Sequence, residues 1–285
     1  MSDQTYVVGP AKGHSHTVIL LHGRDSGAEE FASEFFECEI TGSPQFDRTL
    51  PAVLPTIRWV FPQAKDLPSE RFGTNMSQWF DMWSVEHPQE RSEIQVPGLT
   101  SSIETLAQII KDEETLVPRS RIFLAGISQG FATVLATFLA DGNGGFAGLC
   151  GFCSWLPLAD VIQASLGKAS DADRLAAVQE VYRGSATDGT PSTSLTSTRI
   201  LLGHSRDDEV IPVTNGRDMR DMLQKLQFRN VQWHEYEEGG HWFNEPEGVD
   251  DLFVFLFLGI EYSTEVPPLN LCGPYVKGAG CLYSP

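Results

Sequence analysis

A serine stands between two glycines in Gly126-Ile-Ser128-Gln-Gly130, directly after the apolar run Arg121-Ile-Phe-Leu-Ala125. A serine hydroxyl attacks a carbonyl only once a base takes its proton, and a Gly-x-Ser-x-Gly frame at a sharp strand-to-helix turn holds that hydroxyl exposed at the edge of a sheet. Glycines at 126 and 130 leave room for the tight backbone of such a turn. Ser128 is therefore the candidate nucleophile. A chain rich in glycine and serine can produce this pentapeptide by chance, so the partners downstream carry as much weight as the motif.

Those partners follow in order. The strand-like run Thr198-Arg-Ile-Leu-Leu-Gly203 ends in His204-Ser-Arg-Asp207-Asp208-Glu-Val-Ile-Pro212, which puts two carboxylates on a loop just past a strand end. Asp207 and Asp208 both suit the acid, and spacing alone does not choose between them. A further run, Val231-Gln-Trp-His-Glu-Tyr236, leads into Glu-Glu-Gly-Gly-His241, where the glycines let a loop carry an imidazole across the sheet edge. The order serine, acid, histidine is that of the α/β-hydrolase arrangement and differs from the chymotrypsin and subtilisin orders.

In that chemistry His241 takes the Ser128 proton during attack on an acyl carbonyl and returns it to the leaving group, while the carboxylate fixes the tautomer of the ring. The oxyanion needs two fixed donors. One is expected from the backbone amide of Gln129 and the other from the amide of Arg24, in the loop after the strand-like Thr17-Val-Ile-Leu-Leu21. His22 reads as a structural turn residue, His204 and His234 as packed residues of strands, and His14, His16 and His87 as surface residues.

The elements that must position these groups alternate. Strands are expected near 5–9, 17–21, 57–61, 121–125, 146–153, 198–203 and 231–236, with helices near 27–37, 100–115, 129–141, 158–183, 214–227 and 246–258. Alternation of this kind predicts an α/β fold, a mostly parallel doubly wound sheet with helices on both faces and the site at the carboxyl ends of its strands. Segments 38–56, 62–98 and 184–197 read as loops, the first two at the substrate entrance.

Composition narrows the function. The chain has 285 residues and a formal net charge of −18. That charge opposes nucleic-acid binding, which needs clustered Lys and Arg, and disfavours anionic membranes. The apolar run 252–260 is about half the length of a spanning helix, so it reads as a buried helix and no stable membrane insertion is expected. The amino terminus shows no basic segment followed by an apolar stretch. Five cysteines form no paired framework. Cys150 and Cys153 lack the second ligand pair of a zinc site and read as core residues in a reducing, cytoplasmic setting. One catalytic domain is expected over 1–262, with a tail at 263–285.

The blocks His22-Gly23, Trp79-Phe80-Asp81, Gly126-Ile-Ser-Gln-Gly130, Ser154-Trp-Leu-Pro157, Gly203-His-Ser-Arg-Asp-Asp208 and Gly240-His241-Trp resemble the phospholipase/carboxylesterase family of α/β-hydrolases, which includes the acyl-protein thioesterases. The match is spread over roughly residues 15–260 and looks most like the fungal branch. The resemblance implies Ser128, Asp208 and His241 as the triad, since Asp208 stands four positions before Pro212 where the family has its acid. It implies no metal and no cofactor, an acyl ester or S-acylated protein as substrate, and Trp79 and Trp155 near the substrate, with Phe80 equally suited to packing. Two positions depart from the pattern: Arg24 stands for an apolar residue after His-Gly, and Phe131 for a glycine after the elbow. Two alternatives stand beside this reading: a hydrolase dedicated to one small ester or lactone, and a binding module that lost the chemistry.

Overall fold

Strands that are apolar on both faces must be covered on both faces. The chain sets this demand in β2 (His16–Leu21), β3 (Ile57–Pro62), β6 (Ile122–Ile127), β7 (Gly148–Phe152) and β8 (Ile200–Ser205), while β1 (Thr5–Val8), β4 (Asp66–Ser69), β5 (Thr74–Ser77) and β9 (Val231–Tyr236) are more exposed. The computed structural model describes residues 5–42, 46–183, 192 and 194–263. Seven strands make one sheet in the order β1-β3-β2-β6-β7-β8-β9, with β1 antiparallel to β3 and every other pair parallel.

Alternation along each strand sorts the core into two layers. Ile19 and Leu21 of β2, Ile122 and Leu124 of β6, and Ile200 and Leu202 of β8 face one side. There they meet α3 (Gln95–Glu114), α4 (Gln129–Asp141), α5 (Ala159–Ser165), α6 (Asp171–Arg183) and α8 (Val213–Lys225). Val18 and Leu20, Phe123 and Ala125, and Leu201 face the other side, against α1 (Ala28–Phe35) and α9 (Glu247–Ser263). Short helices α2 (Leu50–Val53) and α7 (Ser194–Ser197) complete the set. Fully buried rings such as Phe31, Phe35, Phe123 and Phe138 dominate both layers, each worth about 2 kcal/mol of transfer free energy.

The expected alternation is present, with several differences. The helix expected over 158–183 is two helices, because Ser170 starts a new one: its Oγ accepts the Asp173 amide at 3.1 Å and donates to Asp173 Oδ2 at 2.7 Å, as an N-terminal cap does. Segment 62–98 is not all loop. It contains the hairpin β4–β5, and α3 begins at Gln95 rather than near 100. Segment 38–56 likewise holds α2 and a bridge from Glu39 to Thr49. His16, read as a surface residue, is wholly buried at the start of β2, its ring 6.0 Å from that of Phe123.

The 252–260 run forms part of α9, with Leu252, Phe255 and Leu256 buried and Val254 on the open side. Among the described residues no helix is long and apolar enough to cross a membrane. The tail after 263 and most of segment 184–197 lie outside the described residues, and the described end of that segment is the short helix α7 rather than loop.

Candidate active site

The turn from β6 into α4 forces Ser128 to φ 54° and ψ −128°, a conformation an L-residue adopts at a cost of about 1–3 kcal/mol. The surroundings hold it there. The Ser128 amide donates to Phe152 O at 2.9 Å, and its carbonyl accepts Ser154 Oγ at 2.7 Å and the Ala132 amide at 3.1 Å. Both flanking glycines are required by close approach. A Cβ at 130 would fall 2.4 Å from the carbonyl oxygens of Leu21 and His22, and one at 126 would fall 2.6 Å from the Phe131 nitrogen. Phe131 itself is buried, its ring lying where a side chain at Gly151 of β7 would stand.

The loop after β2 is fixed from two sides. His22 accepts the Ala64 amide on Nε2 at 3.1 Å and donates from Nδ1 to Gly23 O at 2.6 Å, which sets its tautomer. Burial lowers this imidazole to about 4 despite the bond to Gly23, so His22 is the neutral turn residue expected. Its carbonyl accepts Trp79 Nε1 at 2.9 Å. The Trp79 amide in turn donates to Gln129 Oε1 at 2.8 Å, and Gln129 Nε2 donates to Phe80 O at 2.8 Å. The side chain of the residue after the nucleophile thus braces the Trp79-Phe80 segment against the elbow. Gly23 and Arg24 lie in this loop, on the same cleft as Ser128.

The two adjacent carboxylates are turned to different partners. Asp208 Oδ2 accepts His241 Nδ1 at 2.8 Å and lies 3.2 Å from His204 Nε2, while Oδ1 accepts the amides of Val210 and Ile211, both at 2.9 Å. Burial opposes ionisation of Asp208, but the bonds from His204, His241 and the Ile211 amide outweigh it and hold the carboxyl well below the usual carboxylate range. Asp207 instead accepts the amides of Gly240 at 2.9 Å and Gly239 at 3.3 Å. Those glycines, at φ 58° and 133°, turn the loop that carries His241. The pair is therefore divided between the imidazole and the backbone that presents it.

Ser128 and His241 open on one cleft of about 750 Å³, walled by Phe31, Phe72, Met76, Val85, Val210 and Trp242. Arg24, Glu30 and Glu34 add charge to its lining. The Arg24 side chain is restrained, with Nη2 3.1 Å from Ser69 Oγ and its guanidinium 5.4 Å from the Phe72 ring centre. Trp79 and Trp155 do not line this cleft. Each is 2 % exposed, Trp79 as the brace described above and Trp155 with its ring 6.4 Å from Phe80. A buried aromatic and a substrate-facing one read alike in sequence.

Cys153, His204 and Asp208 bring possible ligand atoms within 4.8 Å of one another. The atoms that face one another there already have partners. His204 Nε2 lies 2.8 Å from Ile211 O, Asp208 is bonded as above, and the Cys153 thiol, which burial pushes well up, points to Trp242 O at 3.4 Å. These residues form an internal network rather than an open metal site. Sequence reasoning passed over three contributors: His204, the Gln129 side chain and Ser154. Only His204 had a visible signal, standing at the end of the strand whose loop carries the acid.

Residues 2–170 match the model of the Phospholipase/Carboxylesterase family. Acyl-protein thioesterase 1 of Yarrowia lipolytica is 31% identical over 235 residues, which cover 80% of this chain and 86% of that protein. The Candida albicans acyl-protein thioesterase 1 is 27% identical over 248 residues, 85% of this chain and 92% of that protein. Among solved structures, acyl-protein thioesterase 2 of Zea mays has the same fold, with a TM-score of 0.65 at 22% identity over 90% of this chain and 99% of its own. By sequence and by fold, the chain belongs to the phospholipase/carboxylesterase family.

Proposed function

We propose that the protein is a serine hydrolase that cleaves acyl esters or thioesters through an acyl-serine intermediate, with Ser128 as nucleophile, His241 as base and Asp208 as the acid. The observation that carries this reading is the 2.8 Å contact of Asp208 with His241 Nδ1, on a cleft that His241 shares with the strained Ser128. Bonding at Nδ1 leaves Nε2 of the same ring to take the serine proton.

Ser128 Oγ attacks the acyl carbonyl carbon as its proton passes to His241 Nε2. The negative charge gathers on the carbonyl oxygen, where the amides of Gln129 and Arg24 are the proposed donors. Collapse of the tetrahedral species breaks the bond to the leaving thiolate or alkoxide, which takes the proton from His241. Water, deprotonated by the same imidazole, then releases the acid and restores Ser128. Phe31, Phe72, Met76, Val85 and Val210 offer the apolar wall that an acyl chain needs.

The substrate class is an S-acylated protein or a small acyl ester, supported by the thioesterase names of the relatives. The test is labelling by a fluorophosphonate with peptide mapping, with p-nitrophenyl esters and acyl thioesters of graded length as competitors. Label confined to Ser128, lost in Ser128→Ala and competed according to chain length, is the expected result. A folded protein that takes no label would sink the reading. Catalytic competence of residues 1–262 alone belongs to the same proposal, and an inactive but folded 1–262 chain would refute that part. Cytoplasmic action is supported by the free thiols of Cys38, Cys150 and Cys153 and would be overturned by recovery from the secreted fraction.

A further inference from the structure

The carboxylate that holds His241 also faces a second imidazole. His204 closes β8 from the strand side, and its Nε2 sits 2.8 Å from Ile211 O and 3.2 Å from Asp208 Oδ2. Both neighbours are acceptors, so Nε2 carries the proton, directed to Ile211 O with Asp208 Oδ2 in close contact beside it. On the far side of the ring, Nδ1 is buried without a hydrogen-bond partner, packed so closely on Gly216 that a Cβ there would lie 2.6 Å away. The ring centre is 6.3 Å from that of Trp233.

An unsatisfied buried nitrogen is a net cost that an apolar side chain of the same shape avoids. Packing therefore gives no reason for a histidine at 204, and the only polar work available to it is at Nε2. We propose that His204 is a positioning residue for Asp208: it fixes the rotation of the carboxylate and takes a share of the charge on the very oxygen that binds His241. The inference rests on the triad reading given above and deepens it.

The titratable groups facing Asp208 come from three elements. His204 arrives from β8, His241 from the loop after β9, and Cys153 from the loop after β7, with Asp207 one residue away and committed to the amides of Gly239 and Gly240. The Val210 and Ile211 amides hold only Oδ1. Oδ2 thus faces the two imidazoles, with the Cys153 thiol also against the carboxylate. Without the His204 donor the carboxylate is freer to turn, and whatever charge reaches His241 is no longer shared.

The test is His204→Phe, which keeps a flat ring and removes the donor, beside His204→Gln, whose Nε2 can reach the same acceptors. The expected result is a roughly 10-fold fall in kcat for His204→Phe with little change in KM, as for a lost hydrogen bond to a charged group. The acid limb of its kcat/KM profile moves up in pH, because the unshared carboxylate stabilises the His241 imidazolium better. His204→Gln recovers most of both, and in an Asp208→Asn background His204→Phe has no further effect on kcat. His204→Leu serves in the same way if the phenylalanine ring is not accommodated. An unchanged kcat and acid limb in a folded donor-free variant would overturn the inference, as would an equal loss in both backgrounds. Fluorophosphonate labelling of the wild-type chain separates the two levels. No label at Ser128 refutes the triad reading, whereas a labelled wild type with an unaffected His204→Phe refutes only the role of His204.

Discussion

At the scale of single residues, adjacent carboxylates of the same type have different tasks because the chain turns between them. Asp208 meets an imidazole and two amides inside the protein, and Asp207 meets the amides of the Gly239-Gly240 turn at its surface. Asp208→Asn keeps the shape but favours the wrong tautomer of His241, so kcat should fall by about 10³ to 10⁴ while the fold is retained. Asp207→Ala removes only the tether of the loop, and a loss on the order of 10- to 100-fold is expected from two charge-assisted bonds to backbone. Steady-state kinetics on the two variants, with circular dichroism to confirm folding, decides the matter. A larger loss for Asp207→Ala than for Asp208→Asn would show that the acid has been misassigned.

At the scale of elements, the strand-to-helix turn works because the backbones of β2 and α4 nearly touch. A methyl group at Gly130 would press into two main-chain carbonyls at 2.4 Å, and neither can yield without moving β2. Gly130→Ala should therefore cost about 3 kcal/mol or more, measured by urea unfolding. Gly13→Ala, with nothing within 4 Å of the added carbon, should stay within about 0.5 kcal/mol. Equal effects would mean that the elbow is looser than described. This local crowding is also why the turn was legible: a pentapeptide next to an apolar strand carries its own steric signature. The inner strands of the sheet were legible for a similar reason, since β2, β6, β7 and β8 are buried on both faces and are largely apolar runs. Other features depend on contacts far apart in sequence and left no such mark. The cap at Ser170 divides what reads as one helical stretch, and the hairpin β4–β5 is polar and short. Trp79 and Trp155 read like substrate-facing aromatics although one braces the elbow and the other is packed away from the cleft. The choice between Asp207 and Asp208 needed the loop geometry, because no periodicity separates neighbouring residues.

At the scale of the whole molecule, stability should depend on histidines that folding removes from water. His16 and His22 are wholly buried, and burial brings each down to about 4 from an ordinary value near 6.5. For His16 the neighbouring charge of Arg121 adds to the effect, and for His22 the Gly23 carbonyl opposes it. Below pH 6.5 the unfolded chain binds protons that the folded chain refuses until about pH 4, so acidification through this window favours unfolding. Each histidine contributes on the order of 3 kcal/mol when the window is fully crossed. Two effects oppose the trend. His234 is raised by its bond to Asp251, so its contribution is complete below pH 6.5 and is lost only as pH rises through its folded value. Protonation of surface carboxylates also relieves the repulsion of a chain with net charge −18, a contribution that added salt screens. Asp208 acts only at lower pH, since its folded value is depressed and its contribution is lost below the ordinary carboxylate range. Urea unfolding at pH 7, 5.5 and 4.5 in 0.5 M salt should therefore show stability falling at each step. His16→Gln should flatten the fall, because glutamine does not titrate. A wild-type curve that is level or rises across this window would mean that water reaches these two imidazoles in the folded protein.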